Sequence, residues 1–460
     1  MRPSLVRRIA TAAAGARYED FSPEVVAKLK LCLLDFLACA FEARDLPWSR
    51  RAAVMAAREP GAATVLATGV GATVEAAAFA NAVAGHGLVR EDMHAGSVSH
   101  LGVVVLPALL ALSERDTVHG CDFIAAAVVG YEAGARFGRA LITPDFARFF
   151  RPTGFTGPIA AACAGSRLVS CDPDLCANAI ALAANTASGL NQWPHEGSDD
   201  MFFHPGFAAR NAVTAVALAE LGVAASDGAL DGPAGLLTAY LGGKPAPEIA
   251  LFDGAPELLA VYNKPVPACN FAQTPCQSAL AAVGRQPPAP DRIRAIRVAA
   301  SYAAVRYPGC DFSGPFRTRL QAKMSIQFGV AAALRYGKVA ESNYAALNDP
   351  EVMRLIGLVT LAADDEFTAA FPARQGARVE IETVDGALLR QTLADVVPAT
   401  EAQIRARFRD AAGDALSPSR AAKIEGFVEE LERAPSVGAL PRLMASAALD
   451  RRTANSQARN

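Results

Sequence analysis

Long apolar runs built from small residues dominate the first 260 residues. They include Glu75–Ala84, Leu101–Glu114, Cys121–Leu141, Thr156–Leu168, Asp174–Leu190 and Ala208–Leu221. Runs of this length exceed ordinary strands and read as helices. Small side chains let helices pack closely on nearly every face, which predicts a bundle with central, buried helices. An earlier segment gives the start signal as well. Ser22-Pro23-Glu24 supplies a cap residue and then Pro at the first helical position. Val25, Leu29, Leu33, Phe36 and Leu37 follow at the spacing of one helix face.

The pattern changes after Lys264. Gly284–Asp291 is a Pro-rich connector, and Ile293–Ala299 alternates as a strand does. Gly376–Val384 and Ala387–Val397 flank Asp385-Gly386, a two-residue hairpin signal. Helical segments, Gln321–Tyr336 and Asp349–Leu358, lie between. Glu401–Leu449 returns to helix, and Asp450–Asn460 reads as a loose polar end. The fold class expected is mostly α: a helical domain over 1–264 and 399–460, with a smaller α+β domain over 265–398.

Composition removes several classes of function. The 460 residues carry 44 Lys+Arg against 46 Asp+Glu, a net charge of −2, so no basic field points to nucleic acid. Mean hydropathy is +0.20. Yet the longest apolar stretch, Leu101–Ser113, is about 13 residues, short of the ~18 of a spanning helix. The reading is an Ala-rich core with subunit interfaces and no membrane partner. Met1–Arg17 lacks the apolar core of a signal peptide. Nine Cys are scattered without a CxxC pair, which fits reduced, mostly buried thiols and a cytoplasmic setting. No zinc or iron–sulfur spacing and no nucleotide-binding glycine fingerprint is present; a metal on His94, His100 and Asp92 is a weaker reading than acid–base work.

Four segments carry candidate chemistry. Three of the six His fall in Ala84–His100 (AGHGLVREDMHAGSVSH), a polar break between apolar helices where titratable groups suit acid–base work. His100 and His94 lead as base or acid, ahead of His86, and Asp92 would orient one of them. The bland alternative is that Asp92 and Ser99 cap helices. The second segment is Phe149–Pro158, with Arg151 before a helix that Thr156 would cap and whose first N–H groups could receive a carboxylate. The third is Gly189–Asn211, with His195, Glu196, Asp199 and His204. The fourth is Asn263–Gln277, where Lys264 sits at the domain boundary among three prolines. Cys269 and Cys276 there read as packing. Tyr302, Arg306, Tyr307, Arg317, Arg319 and Lys323 add polar candidates from the second domain.

Taken in order, these pieces resemble the MmgE/PrpD family. The resemblance rests on LCLLDFLACA, AFANAVAGHG, HAGSVSHLGVVVLPALLALSE, FRPTGFTGPIAAA, FHPGFAARN, KPVPAC and AKMSIQFGVAAAL. The family includes 2-methylcitrate dehydratase, cis-aconitate decarboxylase and iminodisuccinate epimerase. It implies a large all-helical domain with a smaller α+β lid, a homodimer, and a small carboxylate substrate handled without an organic cofactor. His100, His204 and Lys264 match family positions. Other positions depart from the pattern. Met93 stands where a Thr is usual, Arg151 where the decarboxylases carry His, Met201 near a usual Lys, and Gln273 near a usual His.

The expectation is therefore a lyase that moves a proton next to a carboxylate, with elimination or decarboxylation. His100 and His94 are the candidate base and acid, with Asp92 in support. Tyr302 or Tyr307 would donate a proton. Arg151, Lys264, His204, Gln273, Met93 and Met201 would surround the substrate, and Trp193, Phe202 and Phe203 hint at a less polar one. An epimerase with two acid–base groups, or a ligand-binding relative without activity, are the alternatives.

Overall fold

The computed structural model describes residues 2–66, 68–284 and 288–444. Part of the Pro-rich connector and the end read as loose lie outside them. Within the described residues the helical body forms as the small-residue runs require. Ser22 Oγ accepts from Val25 N at 3.4 Å at the head of Pro23–Glu42. The helices Val74–His86, Gly102–Arg115, Gly120–Leu141, Pro152–Val169 and Asp200–Glu220 pack together as the centre, the first four buried nearly all round and the last along one face. Close approach explains the composition. A Cβ on Gly134 would come within 2.7 Å of the Ala160 methyl and 2.6 Å of Leu101, so that helix contact exists only because side chains are missing or minimal.

Among the described residues eight strands complete the picture. β1 (Ala63–Val65) pairs with β2 (Val70–Ala72), and β3 (Asp92–His94) pairs antiparallel with β4 (Val261–Asn263). The remaining four, β5 (Ile293–Ala300), β6 (Val359–Ala363), β7 (Ala377–Thr383) and β8 (Leu388–Leu393), form one sheet in the order β6-β5-β7-β8. The β5–β6 pair is parallel and the others antiparallel. In β7 Ala377, Val379, Ile381 and Thr383 face inward, the two-residue alternation of a sheet with one covered face. Gly386 turns the hairpin with φ of 85°.

Two helices differ from their sequence reading. Gln321–Tyr336 is split at Ser325 into Arg319–Met324 and Ile326–Tyr336, and Ser325 Oγ caps the second through Phe328 N at 2.9 Å. Helix Pro152–Val169 starts directly after Arg151, so Thr156 is not its cap. Thr156 lies inside the helix and donates to Pro152 O and to Ser99 Oγ. Helix Glu401–Ala415 packs on Pro23–Glu42, and Arg407 bonds Asp35 across that contact.

Candidate active site

Several element ends converge in the interior. His86 closes helix Val74–His86, and the turn that follows carries Glu91 into β3. Pairing of β3 with β4 sets Lys264, the residue after β4, beside that turn. His100 precedes helix Gly102–Arg115, and Arg151 precedes helix Pro152–Val169. The two helix starts are tied where His100 N donates to Thr153 Oγ1 at 3.1 Å. Tyr307 arrives from the second domain, just after the short helix Tyr302–Arg306.

Glu91 organises the cluster. Its Oε1 lies 2.5 Å from His86 Nδ1 and 2.8 Å from His100 Nδ1, with all three side chains buried. His100 Nδ1 also reaches the Asp92 carbonyl at 3.0 Å. Arg151 Nη2 donates to His86 Nε2 at 3.2 Å, and Nη1 donates to Tyr307 Oη at 3.2 Å. The pattern fixes tautomers: both imidazoles carry hydrogen on Nδ1 and a lone pair on Nε2.

Electrostatics agree with that assignment. Burial pushes the Glu91 carboxyl up, but the two histidines outweigh it and hold the group well below the usual carboxylate range. Burial drives His100 down to about 3 and lowers His86 as well, so both rings are neutral. Lys264 falls to about 8, chiefly through burial, with Glu91 opposing.

His100, Arg151, Tyr307, Met93 and Met201 line one small, partly open cavity with about 10 Å³ of free space, room for a single water. Beyond Tyr307 lies a cleft of about 900 Å³, bordered by Phe149, Leu190, His195 and Arg306. Tyr307 lines both spaces. Val89 and Val98 border the inner cavity with φ of 58° and 50°. That left-handed region strains a β-branched residue by roughly 1–3 kcal/mol.

The other sequence candidates lie elsewhere. His94 Nδ1 accepts from Ser97 N at 3.1 Å, and its Nε2 meets Glu257 Oε2 at 3.0 Å beneath Arg139, so it braces a turn away from the cavity. The Asp92 carboxylate faces Tyr131 and Gly102 N, and burial lifts it to about 7; only its carbonyl serves His100. Tyr302 is 48% exposed, under Arg306 on the surface. Gln273 spends its amide on Val266, Ala268 and Cys269 carbonyls, holding its own loop. Lys264 donates its ammonium to Val89 O, one layer behind the cavity wall. Burial and Arg151 lower His204 to about 4; its Nδ1 has no partner. Trp193 and Phe202 are core: Phe202 stacks on Trp48 at 3.7 Å.

The sequence passes over Glu91 as a site residue and ranks His86 low. The signal available was an acid, Glu91, flanked at five and nine residues by His86 and His100. Cys269, read as packing, also lines the cavity. Burial raises its thiol, but Cys310 at 3.5 Å and Lys264 more than offset this, bringing it to about 7.

His86, Glu91 and His100 also place donor atoms within 4.8 Å of one another. Both Nδ1 atoms already serve the carboxylate, and Arg151 and Lys264 press positive charge on the cluster, so the environment suits an anion better than a cation.

Comparison with known proteins shows the family. The MmgE/PrpD N-terminal domain matches residues 7–248, and the MmgE/PrpD C-terminal domain matches residues 266–433. The chain belongs to the MmgE/PrpD family. Cis-aconitate decarboxylase of Aspergillus terreus is 28% identical over 455 residues, covering 93% of each chain. The cis-aconitate decarboxylase-like protein oryM of Aspergillus oryzae is 29% identical over 92% of this chain and 93% of its own length. Human cis-aconitate decarboxylase is 27% identical over 62% of this chain and 60% of its own. Among the described residues no helix is long and apolar enough to cross a membrane.

Proposed function

We propose that this MmgE/PrpD protein is a lyase acting on a small carboxylic acid through proton transfer at the carbon beside the carboxylate. The observation that carries the reading is the Glu91 oxygen shared by His86 and His100, with Arg151 on the far nitrogen of His86. Glu91 holds both rings in one tautomer. His86 spends its lone pair on Arg151, so His100, which lines the cavity, is the base. Arg151 binds the carboxylate and stabilises the charge that grows on it as the proton leaves.

Tyr307 accepts from Arg151, which leaves its own O–H to donate. Burial raises its phenol above the usual range, so the proton is present at neutral pH. In an elimination, His100 takes the proton from carbon, the bond to the β-substituent breaks, and Tyr307 protonates the departing group. The decarboxylases among its relatives suggest the sister route, in which carbon dioxide leaves and the carbanion takes a proton. Neither route calls on an organic cofactor.

Proton NMR in D₂O with a panel of small mono-, di- and tricarboxylates tests this. New alkene signals or loss of carbon dioxide, abolished in His100→Gln, are the expected outcome. Deuterium at the α-carbon without any new product would replace the lyase reading with an epimerase.

A further inference from the structure

The cavity's lining narrows the carboxylate it admits. Among the described residues Arg151 is the one cation lining it. Neighbouring charges are already matched: Lys323 with Glu341, and Arg90 with Glu42. Arg148 and Arg306 belong to the outer cleft and stack on Phe149 and Tyr302. Within the site Arg151 and Lys264 oppose the single carboxylate of Glu91, and the imidazoles are neutral. That leaves at most one positive charge, and less once the Cys269 thiol, brought to about 7, ionises beside it.

Arg151 also has an open valence. Its Nε is buried without a partner, and Nη2 has Met201 Sδ at 3.7 Å as one of its two contacts. A thioether is a weak acceptor, so a carboxylate arriving there gains a strong, charge-assisted partner. Of the other polar groups in the wall His100 and Tyr307 are neutral, and Asn270 donates to Gln375 and accepts from Tyr262; most of what remains is apolar. Met93, Met201 and Met324 face the same space, flexible thioethers that mould around hydrocarbon. A second or third carboxylate would be desolvated against them with no cation to meet it.

We propose that the site takes a monocarboxylate, with its one carboxylate on Arg151 and an apolar branch that displaces the flexible side chains of Met93, Met201 and Met324, since the free space between them holds only one water. This rests on the reading that the cavity is where substrate reacts.

Titration calorimetry at pH 7.5 with three acids of related skeleton tests it: 2-methylbut-2-enoate, methylfumarate and cis-aconitate. The monocarboxylate should bind at least tenfold more tightly than methylfumarate, and cis-aconitate should not bind. In Met201→Lys, which adds a cation, and in the neutral Met201→Gln, the margin should shrink. The wild-type comparison stands if either variant fails to fold. Tighter binding of methylfumarate or cis-aconitate, weakened in Arg151→Gln, would overturn the monocarboxylate class while keeping the cavity as the site. Binding that Arg151→Gln and Met201→Gln leave unchanged would overturn the cavity reading itself. No binding by any of the three would overturn the proposal too.

Discussion

Arg151 Nη1 donates to the Tyr307 phenol oxygen across 3.2 Å, and this bond joins the helical body to the second domain at the cavity wall. Tyr307→Phe keeps the ring and removes the oxygen. Loss of a positioned proton donor costs about 10²–10⁴-fold, so kcat should fall at least about 100-fold with little change in KM. Stability should drop by only about 1 kcal/mol, the worth of one hydrogen bond. Steady-state kinetics and urea unfolding read the two effects. A variant with full kcat would reduce Tyr307 to a wall.

The contrast between Tyr307 and Tyr302 shows where sequence reasoning stops. Arg306 follows Tyr302 by four residues and directly precedes Tyr307, and only the five-residue helix between decides that Tyr302 turns to solvent. The helical body was legible because small residues act locally: they set how near a helix may come, whatever the neighbour. The hairpin was legible because Asp385-Gly386 states its own turn. The strand β6 was not, since its pairing with β5 spans some sixty residues of chain. The site failed in the same way. His100 and Arg151 announced themselves as polar residues ahead of apolar helices, whereas Glu91 gains its role only when two helix ends bring His86 and His100 to it. Phe202 suggested a ligand because its stacking partner, Trp48, lies far off in sequence.

Stability should fall as pH drops below about 6.5. Burial depresses His86, His94, His100 and His204, the last two to about 3 and about 4, from an unfolded value of 6.5. Below 6.5 the unfolded chain binds more protons than the folded one, so unfolding is favoured, by about 1.4 kcal/mol per pH unit for each such group. Asp92, raised to about 7 from 3.8, and Glu114, also raised by burial, work the other way over part of that range, but they are two groups against four. Urea midpoints at pH 7 and pH 5 measure the net effect, and His204→Asn should reduce the gap. Equal midpoints would contradict it.

Asp35 is fully buried and accepts from Arg407 and from Asn263 Nδ2 at 2.7 Å. Arg407 also donates to the Lys264 carbonyl at 2.9 Å, fixing the backbone behind the cavity. Arg407→Met leaves a carboxylate without its cation and should cost about 3–5 kcal/mol. Adding Asp35→Asn should recover part of that loss, since the orphan charge disappears. Denaturant unfolding of both singles and the double gives the coupling. Strict additivity would mean the pair is not a unit.

Glu91→Gln keeps the shape of the cluster and removes its only negative charge. The amide oxygen can still accept from both Nδ1–H groups, so geometry alone predicts little change. Charge predicts a great deal. Glu91 favours the protonated form of His100, so without it His100 is a weaker base and kcat should fall by at least about 100-fold. Arg151 and Lys264 would also face each other with no anion between them, a cost of about 3 kcal/mol at pH 7. Lys264 can escape that cost by losing its proton. It sits at about 8 with Glu91 in place, and lower without it, while the unfolded value stays near 10.5. The folded variant then sheds the proton earlier than the unfolded chain as pH rises. The stability gap between variant and parent should therefore narrow from pH 7 to pH 9. A gap that stays constant across that range would mean Glu91 does not compensate Lys264, and that its carboxylate acts on the two histidines alone.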